Sequence, residues 1–190
     1  QPNDTITLKI DANNLNVAFL NRKLGTFLSD IEGAGSGMVH IHGGWRAVDF
    51  EGAVALFCSA KLNANNVRYY FSGDSIRFAD GVMAFDNARI YDRYGNKGLL
   101  DGPLKHTNLS RWTCNFNVKA DDMLVYDTDD FGSLPFYATV FATGDASISS
   151  DGTGLLLKAN AKSMPGSRFV FNSNTTSGAS DNSFVTFTDN

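Results

Sequence analysis

Residues 72–106, SGDSIRFADGVMAFDNARIYDRYGNKGLLDGPLKH, contain short runs in which every second residue is apolar. Ile76 and Phe78 form one such pair, and Met83 and Phe85 form the next. A spacing of two places side chains on the same face of a β-strand. The Tyr-Gly-Asn sequence further along supplies residue types that tolerate the left-handed backbone of a tight turn. The stretch therefore predicts strands that pair around turns.

The apolar positions of this stretch change phase at residues 86–87. They are odd at Met83 and Phe85 and even from Ala88 onwards, with Asp86-Asn87 between them. A one-residue slip would move the following side chains to the opposite face unless an extra residue is absorbed. We therefore expect a β-bulge at residues 86–87. The last strand of the stretch passes through Gly102 and ends at His106.

The period of two recurs along the chain. It predicts further strands over residues 5–11, 37–43, 48–62, 67–71, 112–120, 136–148, 155–161, 169–171 and 184–187. Residues 14–31 differ, because their apolar positions are three and four apart, which is the spacing of a helix. We expect one helical segment there, capping one end of a single β-rich unit of 190 residues. The polar residues 173–182 are predicted to form a mobile loop.

Three long strands share a central glycine with an apolar residue two positions to either side. These glycines are Gly52, Gly102 and Gly144. Glycine inside a strand marks a bend, a bulge or a close approach of another backbone. The recurrence is a weak internal repeat, which is typical of units that stack along one axis.

The composition limits the classes of function. The formal net charge is −4 and 19% of the residues are charged, so the chain lacks the basic surface that nucleic-acid binding requires. No apolar run approaches the ~20 residues of a membrane-spanning helix. The sequence starts at Gln1 without a signal peptide, so we expect a fragment or mature form. Cys58 and Cys114 are too few for a disulfide scaffold, and we interpret them as buried small hydrophobic residues.

The residue types that could support catalysis or metal binding are scattered. His40 and His42 share a strand face, but no cysteine or acidic residue lies at a neighbouring ligand spacing. We interpret His106, at a strand end, as structural. Residues 127–132 resemble a calcium loop that lacks its terminal glutamate. We therefore expect a protein without enzymatic activity, cofactor or metal.

Long strands with one apolar face must cover that face. Either a second sheet covers it, as in a sandwich, or the sheet folds into an open trough with an apolar interior. We predict an all-β fold of this kind, whose apolar groove shields acyl chains or unfolded apolar segments. The residues predicted to line the groove are Val54, Leu56, Leu100, Leu104, Cys114, Phe116, Val118, Val140 and Ala142.

Two other functional classes stay open at this point. A surface β-sandwich that acts as an adhesin or glycan-binding module would expose aromatic residues on a polar face, where Tyr70, Tyr91 and Tyr137 are available. A glycosidase would need two carboxylates facing one another across a cleft. In either architecture, the strands at the two ends of a sheet are expected to pair with further parts of the chain, or to cause dimerisation of a fragment.

The central stretch also resembles a known family. The sequence DRYGNKGLLDG at residues 92–102, followed by Leu104 and His106, is similar to TamB-like translocation and assembly module proteins, especially those of Bacteroides-type bacteria. Other matching segments are residues 33–43, 50–52, 72–78, 123–128 and 136–144. The resemblance spans residues 14–161 and finds no match after Met164. It departs from the family at Ala138, where a glycine is expected after the tyrosine.

The resemblance implies an internal or C-terminal fragment of a very long protein, anchored in the inner membrane by an N-terminal helix. Such proteins cross the periplasm as a sheet folded into an open apolar trough, and their C-terminal part meets an outer-membrane partner of the Omp85 class. They are implicated in outer-membrane protein assembly or secretion and in phospholipid transport between the two membranes. The resemblance implies no enzyme activity and no cofactor.

Overall fold

A computed structural model describes residues 5–44, 47–107 and 111–172. Its strands belong to one open antiparallel sheet, so the predicted all-β fold is confirmed in its single-sheet form and not as a two-layer sandwich. The strand bounds are β1 Thr5–Asn16, β2 Leu28–Gly44, β3 Ala47–Leu62, β4 Val67–Ala79, β5 Val82–Tyr91, β6 Lys97–Thr107, β7 Arg111–Asp127, β8 Phe136–Ser150, β9 Leu155–Ser163 and β10 Arg168–Phe171. The loop predicted at 173–182 and the strand predicted at 184–187 lie outside the described residues.

The strands lie in the sheet in the order in which they occur in the chain. One edge is β1, and the other is formed by β9 and β10, which pair with successive parts of β8. Residues 164–167 interrupt this second edge. The loop stays attached to β8, because the Met164 N–H donates to the Phe141 carbonyl at 2.8 Å and the Phe141 N–H donates to Ser167 Oγ at 3.0 Å.

The bulge predicted at residues 86–87 is present. The pairing of β5 with β6 skips from Phe85 to Ala88, and Asn87 between them has a φ of 47°. Asn and Asp tolerate this left-handed conformation because their short side chains bond locally to the backbone. Irregularities in β1, β2 and β7 use the same residue types at positive φ, namely Asn14, Asp30 and Asp122.

Of the alternatives open for the three repeated glycines, the structure shows a close backbone approach. A Cβ added to Gly102 would lie 2.2 Å from the carbonyl oxygen of Asn115 on β7. The corresponding distances to a neighbouring strand's carbonyl oxygen are 2.1 Å at Gly52 and 2.4 Å at Gly144. Each glycine also has a positive φ, which L-residues rarely adopt. These positions therefore require glycine for space as well as for conformation.

The helical segment is much shorter than the predicted 14–31. It consists of a 3-10 turn, Ala18–Leu20, followed by the four-residue helix α1, Asn21–Leu24. The predicted range also includes the end of β1 and the start of β2. Within the described ranges, neither of these two helical elements has the length and hydropathy needed to cross a membrane.

Ile31 was predicted to lie in the helix, but it belongs to β2. Asn21 Nδ2 donates to the Ile31 carbonyl at 2.9 Å, and the Ile31 N–H donates to Asn21 Oδ1 at 2.8 Å. The pairing of β1 with β2 ends at Ala34, and beyond it the Asn21 side chain takes the place of β1 as the hydrogen-bond partner of β2. Ile31 therefore keeps the backbone hydrogen bonding of a strand. Val17, Leu24 and Ile31 have the spacing of a helix, but they come from different elements that bury them in one cluster.

One apolar cluster joins the helical segment to the sheet. Its buried members are Val17, Leu24, Ile31 and Trp112, and the partly buried side chains packed against them are Leu20, Leu28, Leu56, Cys58, Ala60, Met83 and Leu104. Ile31 belongs to β2 and Trp112 to β7, with four strands between them in the sheet. The sheet must therefore curve until these strands face one another. We call the side that carries this cluster the concave face and the opposite side the outer face.

Hydrogen bonds outside the regular strand ladders reinforce the sheet at both ends of its strands. At the end that carries the β5–β6 turn, Asn65 Nδ2 donates to the Val125 carbonyl of β7 at 2.9 Å. At the other end, the Gly81 N–H donates to Asp49 Oδ1 of β3, and the Gly81 carbonyl accepts from the His106 N–H of β6, both at 2.8 Å. The bond from Asn65 links the β3–β4 turn to a strand that is not its neighbour in the sheet, and it therefore supports the trough-like curvature.

Candidate apolar binding face

The residues predicted to line the groove lie on the concave face. Leu100 of β6 lies opposite Val118 of β7, and Leu104 lies opposite Cys114. Residues directly opposite one another in an antiparallel pair point to the same side. Strand alternation places the remaining predicted residues on that side as well, namely Val54, Leu56, Phe116, Val140 and Ala142. Most of them are half-buried, whereas Val54 and Ala142 are buried.

A row of aromatic rings crosses the middle of the concave face. The Phe85 ring lies 6.1 Å from the Phe71 ring of β4 and 5.4 Å from the Phe116 ring of β7. β6 lies between Phe85 and Phe116, and it contributes Gly102 directly opposite Phe85. Because glycine has no side chain, the two rings meet above it in a T-shaped contact. The sequence analysis identified Phe116 and Gly102 but not their partnership.

A second aromatic group lies on the concave face near the β4–β5 turn. The His106 ring is 6.2 Å from the Phe50 ring and 5.0 Å from the Trp112 ring. Burial lowers the pKa of His106, and the negative charge of Asp49 opposes this shift. The neutral imidazole is therefore the form that packs here, which supports the structural interpretation of His106.

Trp112 contributes a polar atom to an otherwise apolar cluster. Its side chain is buried, and its indole N–H has no hydrogen-bond partner among the residues that the structure describes. Buried tryptophans normally find an acceptor, and an unsatisfied buried donor costs ~1–3 kcal/mol. The sequence analysis predicted that Trp112 starts the strand at residues 112–120, but only the packing shows that its N–H is unpaired.

Large apolar side chains remain exposed at the rims of the concave face. On β1, Leu8 is 49% exposed and lies opposite Ile41, so it points to the concave side. On β9, Leu157 is 55% exposed and lies opposite Ile148. Other rim residues on this face are Leu15, Phe169 and Phe171. The sequence alternation contained these residues, but it did not show which strands form edges.

The outer face is mainly polar, although Met38, Phe57 and Leu156 are exposed on it, and it carries two shallow depressions. One has a volume of about 360 Å³ and lies against Glu51 and Arg77. The other has a volume of about 350 Å³ and lies against Asp101, Lys119 and Asp145. Val118 is the one predicted groove residue that lines either depression.

Asp92 is a structural residue whose role the sequence analysis missed. Its buried carboxylate accepts hydrogen bonds from the N–H groups of Tyr94 and Asn96 at 2.8 and 2.9 Å. It also accepts one from the Leu124 N–H of β7 at 2.7 Å. Arg93 adds an ion pair with Asp127 at 2.8 Å. The predicted turn thus closes the end of the concave face by binding β7.

The other candidate residues form no reactive site in the part of the chain that the structure describes. No group of three or more His, Cys, Asp or Glu residues there could hold a metal ion. In the calcium-like loop, Asp127 is engaged by Arg93 and accepts a hydrogen bond from Thr139 at 3.0 Å. Cys58 and Cys114 are both free thiols, and burial raises the pKa of Cys58 to about 11.

The tyrosines on which the glycan-binding alternative depends do not form one platform. Tyr70 is 39% exposed and lies opposite Tyr91 on the outer face of β4 and β5. Tyr137 lies on β8, where its ring contacts Phe131 at 4.9 Å. Stacking on a sugar uses a coherent aromatic surface, which these residues do not supply together.

Comparison with known proteins gives one match. The family model described as TamB C-terminal domain matches residues 86–190, which is more than half of the chain. The match begins at the β5 bulge and includes the Asp92 turn and the Gly102 strand. It also continues past Met164, so the expectation that the tail has no match was wrong. No curated protein and no solved structure matches.

Proposed function

This chain belongs to the TamB family, and on that premise we propose that its concave face is part of an apolar conduit in the Gram-negative cell envelope. The family is associated with outer-membrane protein assembly and lipid transport. The cargo proposed for this segment is therefore a phospholipid acyl chain or an unfolded segment of an outer-membrane protein. The outer face meets water while the concave face shields the cargo.

The exposed rims carry this proposal. Leu8 and Leu157 lie on opposite edges of the sheet and point to the same concave side. Each Å² of apolar surface removed from water contributes ~25 cal/mol. A hydrocarbon chain lying along a rim would cover its own surface and that of the exposed side chain. The rims thus supply binding energy at both edges of the concave face.

The wider setting is also part of the proposal. We place this segment in the periplasm, within a longer chain anchored in the inner membrane, and we assign contact with an Omp85-class outer-membrane protein to that longer chain. The edges β1 and β9–β10 continue the sheet by pairing with further strands or, in the isolated fragment, with a second copy. The segment acts by binding rather than by catalysis, and it binds no nucleic acid.

Two adjacent leucines of β9 provide a matched test. Leu157 points to the concave side and Leu156 to the outer side, and they are 55% and 53% exposed. Replacing either with Asp leaves the fold intact, because neither is buried. We expect Leu157→Asp to weaken binding of a fluorescent acyl probe by at least about tenfold, since a charge is unfavourable beside hydrocarbon. Leu156→Asp should bind as the unmodified chain does.

A second set of three variants tests the centre of the concave face. Phe116→Asp or Val140→Asp should abolish capture of phospholipid, whereas Asn117→Asp on the outer face should not. Native mass spectrometry of protein purified without detergent measures the retained lipid. Equal loss in all variants, or no loss in any, would contradict the proposed conduit. A positive glycan array without lipid binding would favour the glycan-binding module instead.

A further inference from the structure

The unpaired indole N–H of Trp112 indicates a ligand contact. It lies in the cluster that Trp112 forms with Val17 and Leu24 on the concave face. The partly buried neighbours Leu56, Met83 and Leu104 are apolar as well. A group that binds here must therefore be mostly hydrocarbon and must bring one hydrogen-bond acceptor.

The helical segment, residues 17–27, is the part of this cluster that can leave. Strand residues inside the sheet are held by ladder hydrogen bonds on both sides. By contrast, residues 17–27 contact the sheet mainly through apolar packing and a few polar anchors. These anchors are the Asn21 amide on Ile31, the Val17 N–H on the Gly33 carbonyl at 3.1 Å, and two bonds from Asn63. The Asn63 N–H donates to the Phe27 carbonyl at 2.9 Å, and Asn63 Nδ2 donates to the Gly25 carbonyl at 3.2 Å.

We propose that an ester-linked acyl chain displaces residues 17–27 and accepts a hydrogen bond from Trp112 Nε1 through its ester carbonyl. The inference rests on the proposed function and specifies where and how lipid binds. An ester brings acceptors but no donor, which suits a site with one unpaired donor. A peptide segment would bring N–H groups as well, and the apolar neighbours offer them no acceptor. The site therefore favours lipid over unfolded protein.

The experiment compares a short-chain diester phosphatidylglycerol with the diether lipid of the same chain length. Each is titrated below its micelle-forming concentration against a fluorescent acyl probe bound to the full 190-residue chain. The ether lipid has no carbonyl, so we expect the ester lipid to compete about threefold to tenfold better, as one hydrogen bond allows. Trp112→Phe should bind both lipids with the affinity that the ether lipid has for the unmodified chain.

Thiol labelling tests displacement of the helical segment independently. Cys58 packs against the cluster, and Cys114→Ser removes the second thiol, which lies opposite the cluster neighbour Leu104. In this variant, diester lipid should increase maleimide labelling of Cys58 severalfold. Asn21→Ala, which removes the anchor on Ile31, should increase Cys58 labelling without lipid. Cys58 labelling that responds to neither change would overturn the displacement step.

The outcomes separate this inference from the proposed function. Equal affinity of the unmodified chain for ester and ether lipids would overturn the role of Trp112 and leave the conduit intact. If Trp112→Phe still binds the ester lipid more tightly than the ether lipid, the role of Trp112 is likewise overturned and the conduit is left intact. Failure of both lipids to bind any variant, including Asn21→Ala, would overturn the conduit and the Trp112 site together.

Discussion

Replacement of Asp92 tests whether one buried carboxylate holds the β5–β6 turn against β7. Asp92 is 3% exposed, and its carboxylate accepts from the backbone N–H groups of Tyr94, Asn96 and Leu124. Leu124 is 1% exposed, so its N–H cannot turn to water when Asp92→Ala removes the acceptor. One fully buried donor costs ~1–3 kcal/mol and each of the two part-buried bonds contributes ~0.5–1.5 kcal/mol. The expected loss of unfolding free energy is about 2–6 kcal/mol.

Asp92→Asn separates hydrogen bonding from packing. Asn has nearly the same volume but only one acceptor oxygen, and its NH₂ group would face either the Tyr94 and Asn96 N–H groups or the Leu124 N–H. We therefore expect a loss close to that of Asp92→Ala in urea unfolding followed by circular dichroism. The carboxylate of Asp74 binds the exposed Arg89, so Asp74→Ala should lose only a small fraction of this unfolding free energy. An Asp92→Asn protein as stable as the unmodified chain would refute the reasoning.

Two further perturbations address the backbone and the buried imidazole. Gly102→Ala should lower the free energy of unfolding by about 2–5 kcal/mol, because a Cβ there meets the neighbouring strand. Gly95 also has a positive φ but open space around it, so Gly95→Ala should lower it by about 1–2 kcal/mol. Similar urea midpoints for the two variants would contradict the close approach. Because burial lowers the pKa of His106, the folded chain binds a proton less readily than the unfolded chain. Stability should therefore fall as the pH drops below ~6.5 and through the lower folded pKa. The melting temperature of His106→Phe should fall less between pH 7.5 and 5 than that of the unmodified chain. An identical fall would exclude His106 as a source of the pH dependence.

The sequence predicted the strands and their faces well, because a period of two is a local property. Leu100 and Leu104 share a face with Val118 and Cys114 as the alternation required. The bulge at residues 86–87 was predictable for the same reason, since a change of phase must be absorbed where it occurs. Gly102 was marked from the sequence as a bend, a bulge or a close approach, and the structure shows that it is a close approach.

The remaining features depend on which distant segments meet, and local patterns do not contain that information. The helix was predicted too long because Val17 and Leu24 have helical spacing with Ile31, although Ile31 reaches the cluster from a strand. The role of Asp92 depends on its contact with Leu124, which is 32 residues away. The unpaired N–H of Trp112 follows from curvature of the sheet, which alternation along single strands does not encode.

The order of the strands also has a consequence for how the chain acquires its structure. From β1 to β9, each strand pairs with the strand next to it in the sequence, and β10 returns to β8 past β9, so each loop that must close is short. The bridge from Asn65 to Val125, which spans 60 residues, can form after the intervening hairpins have brought its ends together. A chain of this kind can fold progressively from its N-terminus as it is synthesised or secreted, with each new strand using the previous one as its template. Its length can then grow by addition of hairpins without slowing the steps already completed.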